Sequence, residues 1–159
     1  MPETTSKLSN YTALPRRAVR LLLSEPGSAL LALRMCAWVV AVSLLMRLVP
    51  LPSAMRLVAP RRKGRRPTDA TEVQARLASL LDSVLAANFW VFTPTCWKRA
   101  PVLHRYLTLS GIETRVLFGI RRDGGDGDAL SGHAWLEAEG HPLLEKIPPD
   151  YKVTYSFPT

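Results

Sequence analysis

Hydrophobic and polar positions divide the chain into a helix-patterned first part and a strand-patterned second part. Residues 1–14 (MPETTSKLSNYTAL) are polar and read as a tail. Arg16 to Ser24 then has the period of a short helix, started by Pro15 and ended at Pro26-Gly27. Ser28 is placed to cap the longest apolar segment, Ala29 to Val49, which stops at Pro50 and Pro52; Ser53 to Val58 adds another turn or two. From Ala70 to Ala87, capped by Thr68 or Asp69 and ended by Asn88, the apolar positions Val73, Leu77, Leu80, Leu81, Val84 and Leu85 recur at helical spacing. After the bulky run Phe89 to Phe92, Thr93 as N-cap and Pro94 at the first helical position predict another helix. Its inward stripe is Ala100, Leu103, Tyr106 and Leu107, and its stop is Gly111.

The period changes after residue 113. Thr114 to Ile120 alternates as a strand, residues 121–130 (RRDGGDGDAL) form a loop, and Gly132 to Ala138 is a second strand. A turn near Gly140, then Leu143 to Ile147 and Tyr151 to Phe157, complete an expected antiparallel meander. Helices followed by strands make the class α+β. Pro60 to Pro67 (PRRKGRRP), with prolines at both ends and a glycine inside, reads as a linker. It separates a helical, hydrophobic and basic extension, residues 1–67, from a core, residues 68–159.

A length of 159 residues, 47% hydrophobic and 21% charged, fits one globular domain with an extension. The net charge of +8 admits nucleic acid, an anionic membrane surface or an acidic peptide as partner. Five cations fall between Arg61 and Arg66 with no aromatic among them, so the run reads as a solvated linker and no nucleic-acid stacking platform is expected. Arg34 and Arg47 confine the uncharged part of the long apolar helix to Met35–Met46, 12 residues. About 20 are needed to cross a bilayer. The 29–49 helix is therefore expected to pack on the protein or to lie at a membrane surface. Two cysteines, Cys36 and Cys96, make no disulfide framework, and the polar start of the chain does not resemble a signal peptide, so the expected compartment is the cytoplasm.

Candidate chemistry rests on Cys96 and His133. In the first turn of a helix, exposed N–H groups and the positive end of the helix dipole favour the thiolate, the nucleophilic form. Lys98 and Arg99 add positive potential where they point back towards the sulfur. A histidine within reach takes the thiol proton, and a carboxylate behind it fixes the tautomer. Glu145 is the carboxylate candidate: an odd-length turn near Gly140 puts it on the sheet face of His133, whereas an even-length turn puts it on the other face. Glu137, on the face of His133 by the strand period, and Asp150 are the alternatives. Trp135 lies on that face between His133 and Glu137 and is expected to shield the imidazole, while Trp97 suits a groove or the core. His104 and His141 have no ligand spacing, so neither a metal nor another cofactor is expected.

Cys96 followed by Ala100, the helix exit Leu107…Ser110-Gly111-Ile112, the strand Arg115 to Ile120, and Gly132-His133-Ala134-Trp135-Leu136-Glu137 with Glu139-Gly140 resemble the transglutaminase-like core of lasso-peptide leader peptidases. The resemblance covers about residues 68–159 and implies a papain-like cysteine protease fold. It also implies cleavage of the leader from a ribosomally made precursor peptide, with Cys96 as nucleophile and His133 as general base. The family's acidic residue is usually Asp; Glu145 holds the matching place here. The implied partners are the precursor, an ATP-dependent lasso cyclase and a leader-recognition protein, the last expected as a separate chain because residues 1–67 lack its strands. Two other readings stand beside this one: an amide-forming acyltransferase on the same fold, and a non-catalytic membrane-surface or assembly module.

Overall fold

A computed structural model describes residues 26–88, 92–122, 130–145 and 150–158; the tail and the short helix expected over residues 1–24, and the run 89–91, lie outside these. The first helix among the described residues, α1 (Pro26–Leu48), starts ahead of the expected cap. Pro26 begins this helix, since a proline in the first turn forfeits only an N–H that has no partner there. Ser28 is thus inside α1, where its hydroxyl accepts a hydrogen bond from Arg76 at 3.0 Å. α2 (Leu51–Val58) follows directly, with Pro50 as its extended N-cap residue and Pro52 in the first turn. In α3 (Ala70–Leu85) the cap is Asp69, whose carboxylate accepts from the Glu72 N–H at 2.9 Å. α3 ends at Leu85, two residues before the expected Ala87, and Asn88, at φ 48°, turns the chain away.

The segment read as a solvated linker is exposed yet docked. It crosses the C-terminus of α4 (Cys96–Leu109), where the Gly64 N–H donates to Thr108 O at 3.2 Å. Lys63 pairs with Glu113 at 2.7 Å and Arg66 with Glu139 at 3.2 Å. A Cβ on Gly64 would stand 2.0 Å from Leu109 O, so only glycine lets the two backbones meet this closely. The cations also lie where the helix dipole is negative. Beneath them α4 ends in a Schellman motif. Ile112 N–H donates to Leu107 O at 2.9 Å and Gly111 N–H to Thr108 O at 3.0 Å, with Gly111 at φ +78°.

The sheet contains β1 (Arg115–Arg122), β2 (Leu130–Ala138), β3 (His141–Leu143) and β4 (Lys152–Phe157), in the order β3-β2-β1-β4. All pairs are antiparallel, but the arrangement is not a simple meander. β4 returns to the free edge of β1, the spatial order of a Greek key. β1 is buried on both faces at Val116 and Leu117 and has a strand on each edge, β2 and β4. β1 extends two residues and β2 one residue into the expected loop, of which residues 123–129 lie outside the description.

One core joins helices and sheet. Met35, Val39 and Val42 of α1, Met55 and Val58 of α2, Leu77, Leu81 and Leu85 of α3, Leu103 and Leu107 of α4, and Val116, Ala134 and Leu136 of the sheet form a single cluster. Leu81, Leu103 and Leu107 are fully buried, and truncating any of them costs about 2–5 kcal/mol. His104 sits in this interior. Its Nδ1 lies 2.8 Å from the Thr114 hydroxyl, and Phe157 meets the ring edge-on. Burial pushes its pKa down to about 4, so it is neutral at pH 7.

Candidate active site

Cys96 is placed by the start of α4. Thr95, with extended backbone, is the N-cap, and Cys96 is the first helical residue, two positions later in the chain than Thr93-Pro94 predicted. The Thr93 hydroxyl instead accepts from Lys98 Nζ at 2.7 Å. Thr95 makes no side-chain cap bond, and its hydroxyl oxygen is buried without a partner. The Cys96 N–H, at the first helical position, has no acceptor within the helix. The sulfur therefore sits beside a helix start whose first donors are open to a ligand.

His133 is placed by β2. It pairs with Gly119, and along the strand Ala134 and Leu136 join the core while His133 and Trp135 take the other face. Trp135 stacks on the imidazole at 5.9 Å and Tyr151 covers it at 5.2 Å. Gly119 makes room for these rings: a Cβ there would stand 2.8 Å from Tyr151 Cβ and 3.0 Å from the Trp135 ring. Tyr151 was not anticipated from sequence; a glycine inside an apolar strand is the signal of close approach that points to it.

Glu145 reaches the imidazole by a route the strand period does not foresee. The β2–β3 turn contains two residues, Glu139 and Gly140, both at positive φ as a type I′ turn requires. That even-length turn assigns Glu145 to the opposite face. The ladder, however, ends at Leu143, and Leu144 at φ 60° bends the chain out of the strand. The Glu145 carboxylate then lies 3.6 Å from His133 Nε2, with both side chains about three-quarters buried. The strand expected over Leu143 to Ile147 is thus His141–Leu143, and residues 146–149 lie outside the description. The alternatives are occupied elsewhere or exposed. Glu137 accepts from the Trp135 indole at 3.3 Å, and Asp150 is exposed.

Cys96, His133 and Glu145 line one cavity of about 630 Å³ together with Asp82, Arg99, Thr95 and both faces of β2. Among the described residues β3 pairs with β2 only from Leu136 to Ala138. No hydrogen bond joins thiol to imidazole among the described residues, and catalytic contacts are often long before substrate binds.

The cations beside Cys96 do not both enrich the cavity in positive charge. Lys98 turns inward over the Trp97 ring, and burial and the nearby Arg47 charge lower its pKa. Trp97 packs against the core and does not line the cavity. Arg99 does face the cavity, but Asp82 grips it through Nε at 2.7 Å and a second guanidinium nitrogen at 3.1 Å. That hydrogen bonding, with the Asp82 and Glu145 charges, holds Arg99 more firmly protonated. Asp82, on α3, is a cavity residue that sequence spacing did not identify. Among the described residues, no group of three His, Cys, Asp or Glu side chains is placed to hold a metal ion.

The sequence matches the family model of the transglutaminase-like superfamily over residues 36–156. The chain belongs to that superfamily. The match begins inside α1 and takes in every element that lines the cavity. A transglutaminase-like core is of the cysteine-peptidase and acyltransferase kind, which agrees with the chemistry of a thiol at a helix start. No curated protein and no solved structure matches the chain.

Proposed function

We propose that this transglutaminase-like domain is a cysteine peptidase that removes the leader from a ribosomally made lasso precursor peptide. The observation that carries the catalytic part is geometric: Cys96 opens α4 in the same cavity as His133, whose imidazole has the Glu145 carboxylate 3.6 Å away. The substrate part rests on the sequence resemblance. Cys96 Sγ attacks the scissile carbonyl while its proton passes to His133. The N–H groups at the helix start bind the developing oxyanion. His133 then delivers the proton to the leaving amine as the C–N bond breaks, which frees the core peptide. A water molecule, giving its proton to His133, attacks the thioester, releases the leader as an acid and restores the thiol. Glu145 orients the imidazole throughout.

The separate leader-recognition protein presents the precursor, and the ATP-dependent cyclase acts on the freed core peptide. Two unpaired cysteines suit a reducing cytoplasm. The test is incubation of the full chain with precursor and leader-recognition protein, read by product mass. A free leader acid and an intact core peptide are expected. An amide-linked product would make the domain an acyltransferase instead, and no product in the presence of both partners would remove the lasso precursor as substrate.

A further inference from the structure

The outer face of α1 is as apolar as its inner one. Ala32, Met35, Val39 and Val42 are buried against the core, while Leu30, Leu33, Ala37, Leu44 and Leu48 line the opposite side, spaced three, four or seven apart as one helical ridge. Leu33 is 66% exposed and Leu48 76%, and only 28% of the helix's most apolar window is buried. A helix apolar all round has its second face covered by something. At 23 residues the ridge runs about 34 Å, the length of a helix lying along a surface as well as of one crossing it.

What covers it is indicated by charge. Exposed Arg34 and Arg47 stand beside the ridge near its two ends, and α2 adds exposed Leu57 next to exposed Arg56. No acidic residue occurs between Pro26 and Arg66. Leucines facing outward with guanidinium groups beside them match the boundary of an anionic bilayer, where acyl chains take the apolar ridge and phosphates take the cations. The inner face remains packed on α3 and α4, which opposes a transmembrane placement.

We infer that α1 docks the protein, ridge downward, on an anionic lipid surface. None of the ridge residues lines the catalytic cavity, so the docking is independent of the proposed reaction. The test is flotation of the full chain with vesicles of phosphatidylcholine and phosphatidylglycerol in equal parts, against phosphatidylcholine alone. Binding to the anionic vesicles is expected, weakened by salt. Leu33→Asp with Leu44→Asp is expected to abolish it with the circular dichroism spectrum and solution activity unchanged. Arg34→Glu with Arg47→Glu, which leaves the ridge apolar, should weaken it at least about ten-fold. Four results would overturn the inference: no flotation with either vesicle, equal flotation of the leucine variant, retention through alkaline carbonate as for a spanning helix, or a wild-type dimer that the leucine variant dissociates.

Discussion

Helix α4 is closed at its C-terminus and open at its N-terminus. At the C-terminus a Schellman motif uses the last carbonyls, Thr108 O takes a further N–H from Gly64, and the basic strap Arg61–Arg66 covers the negative end of the dipole. At the N-terminus the cap residue makes no cap bond, its hydroxyl has no partner, and the first helical residue is a cysteine facing a cavity. The two ends of one 14-residue helix thus treat their polar groups in opposite ways. One end contributes to stability by satisfying its polar groups, while the other leaves its donors open, as the proposed function requires, and forgoes a capping bond worth about 1 kcal/mol.

Substitutions should divide along the same line. The largest effect belongs to the open end. Cys96→Ala should lower leader cleavage by a factor of about 10⁴ or more with an unchanged melting temperature, as measured by product mass and calorimetry. Between the two ends lies His104, whose effect is on stability alone. Its folded pKa of about 4 is below the unfolded value of about 6.5, so the unfolded state binds the proton first as pH falls. Stability should therefore be unaffected by this group above pH about 6.5 and fall by about 3 kcal/mol between there and pH about 4. Urea titrations across that range check it, and His104→Gln should flatten the slope.

Smaller again, Glu145→Gln should reduce kcat by about 100-fold, and Glu137→Gln, whose carboxylate holds the Trp135 indole, by less than about 5-fold. Equal losses would remove Glu145 from its special place behind His133. At the closed end, Gly64→Ala must push the strap off the Leu109 carbonyl and should cost about 1–3 kcal/mol of stability. Labelling of Cys96 by a thiol probe should be unaltered in that variant. A parallel loss of thiol reactivity would show that the two ends are coupled.

How far the sequence reveals this depends on whether the deciding contacts are local. Hydrophobic period, Asp69 before Ala70 and Gly111 after Leu109 mark the helices because caps and faces are short-range effects. Cys96 and His133 are legible as a pair through residue type and motif. The strand order is not: β4 pairs with β1 rather than with β3, its neighbour in sequence, and such long-range pairing is a property of the assembled sheet. Glu145 shows the limit most clearly. A count of turn residues assigns it to the wrong face, and a single left-handed residue, Leu144, reverses the outcome. Nor does the basic strap announce its seat, since Gly64 and Thr108 meet only after two helices have packed. Asp82 reaches the cavity in the same way, carried there by the α3–α4 contact.

The central claim is that the open end of α4 performs covalent chemistry through Cys96. Intact-mass measurement of the protein during turnover of a precursor, with rapid acid quench, tests it most directly. The account predicts an adduct equal to the leader peptide less one water, labile to hydroxylamine, on the wild type and absent from Cys96→Ala. Continued leader cleavage by Cys96→Ala would contradict it.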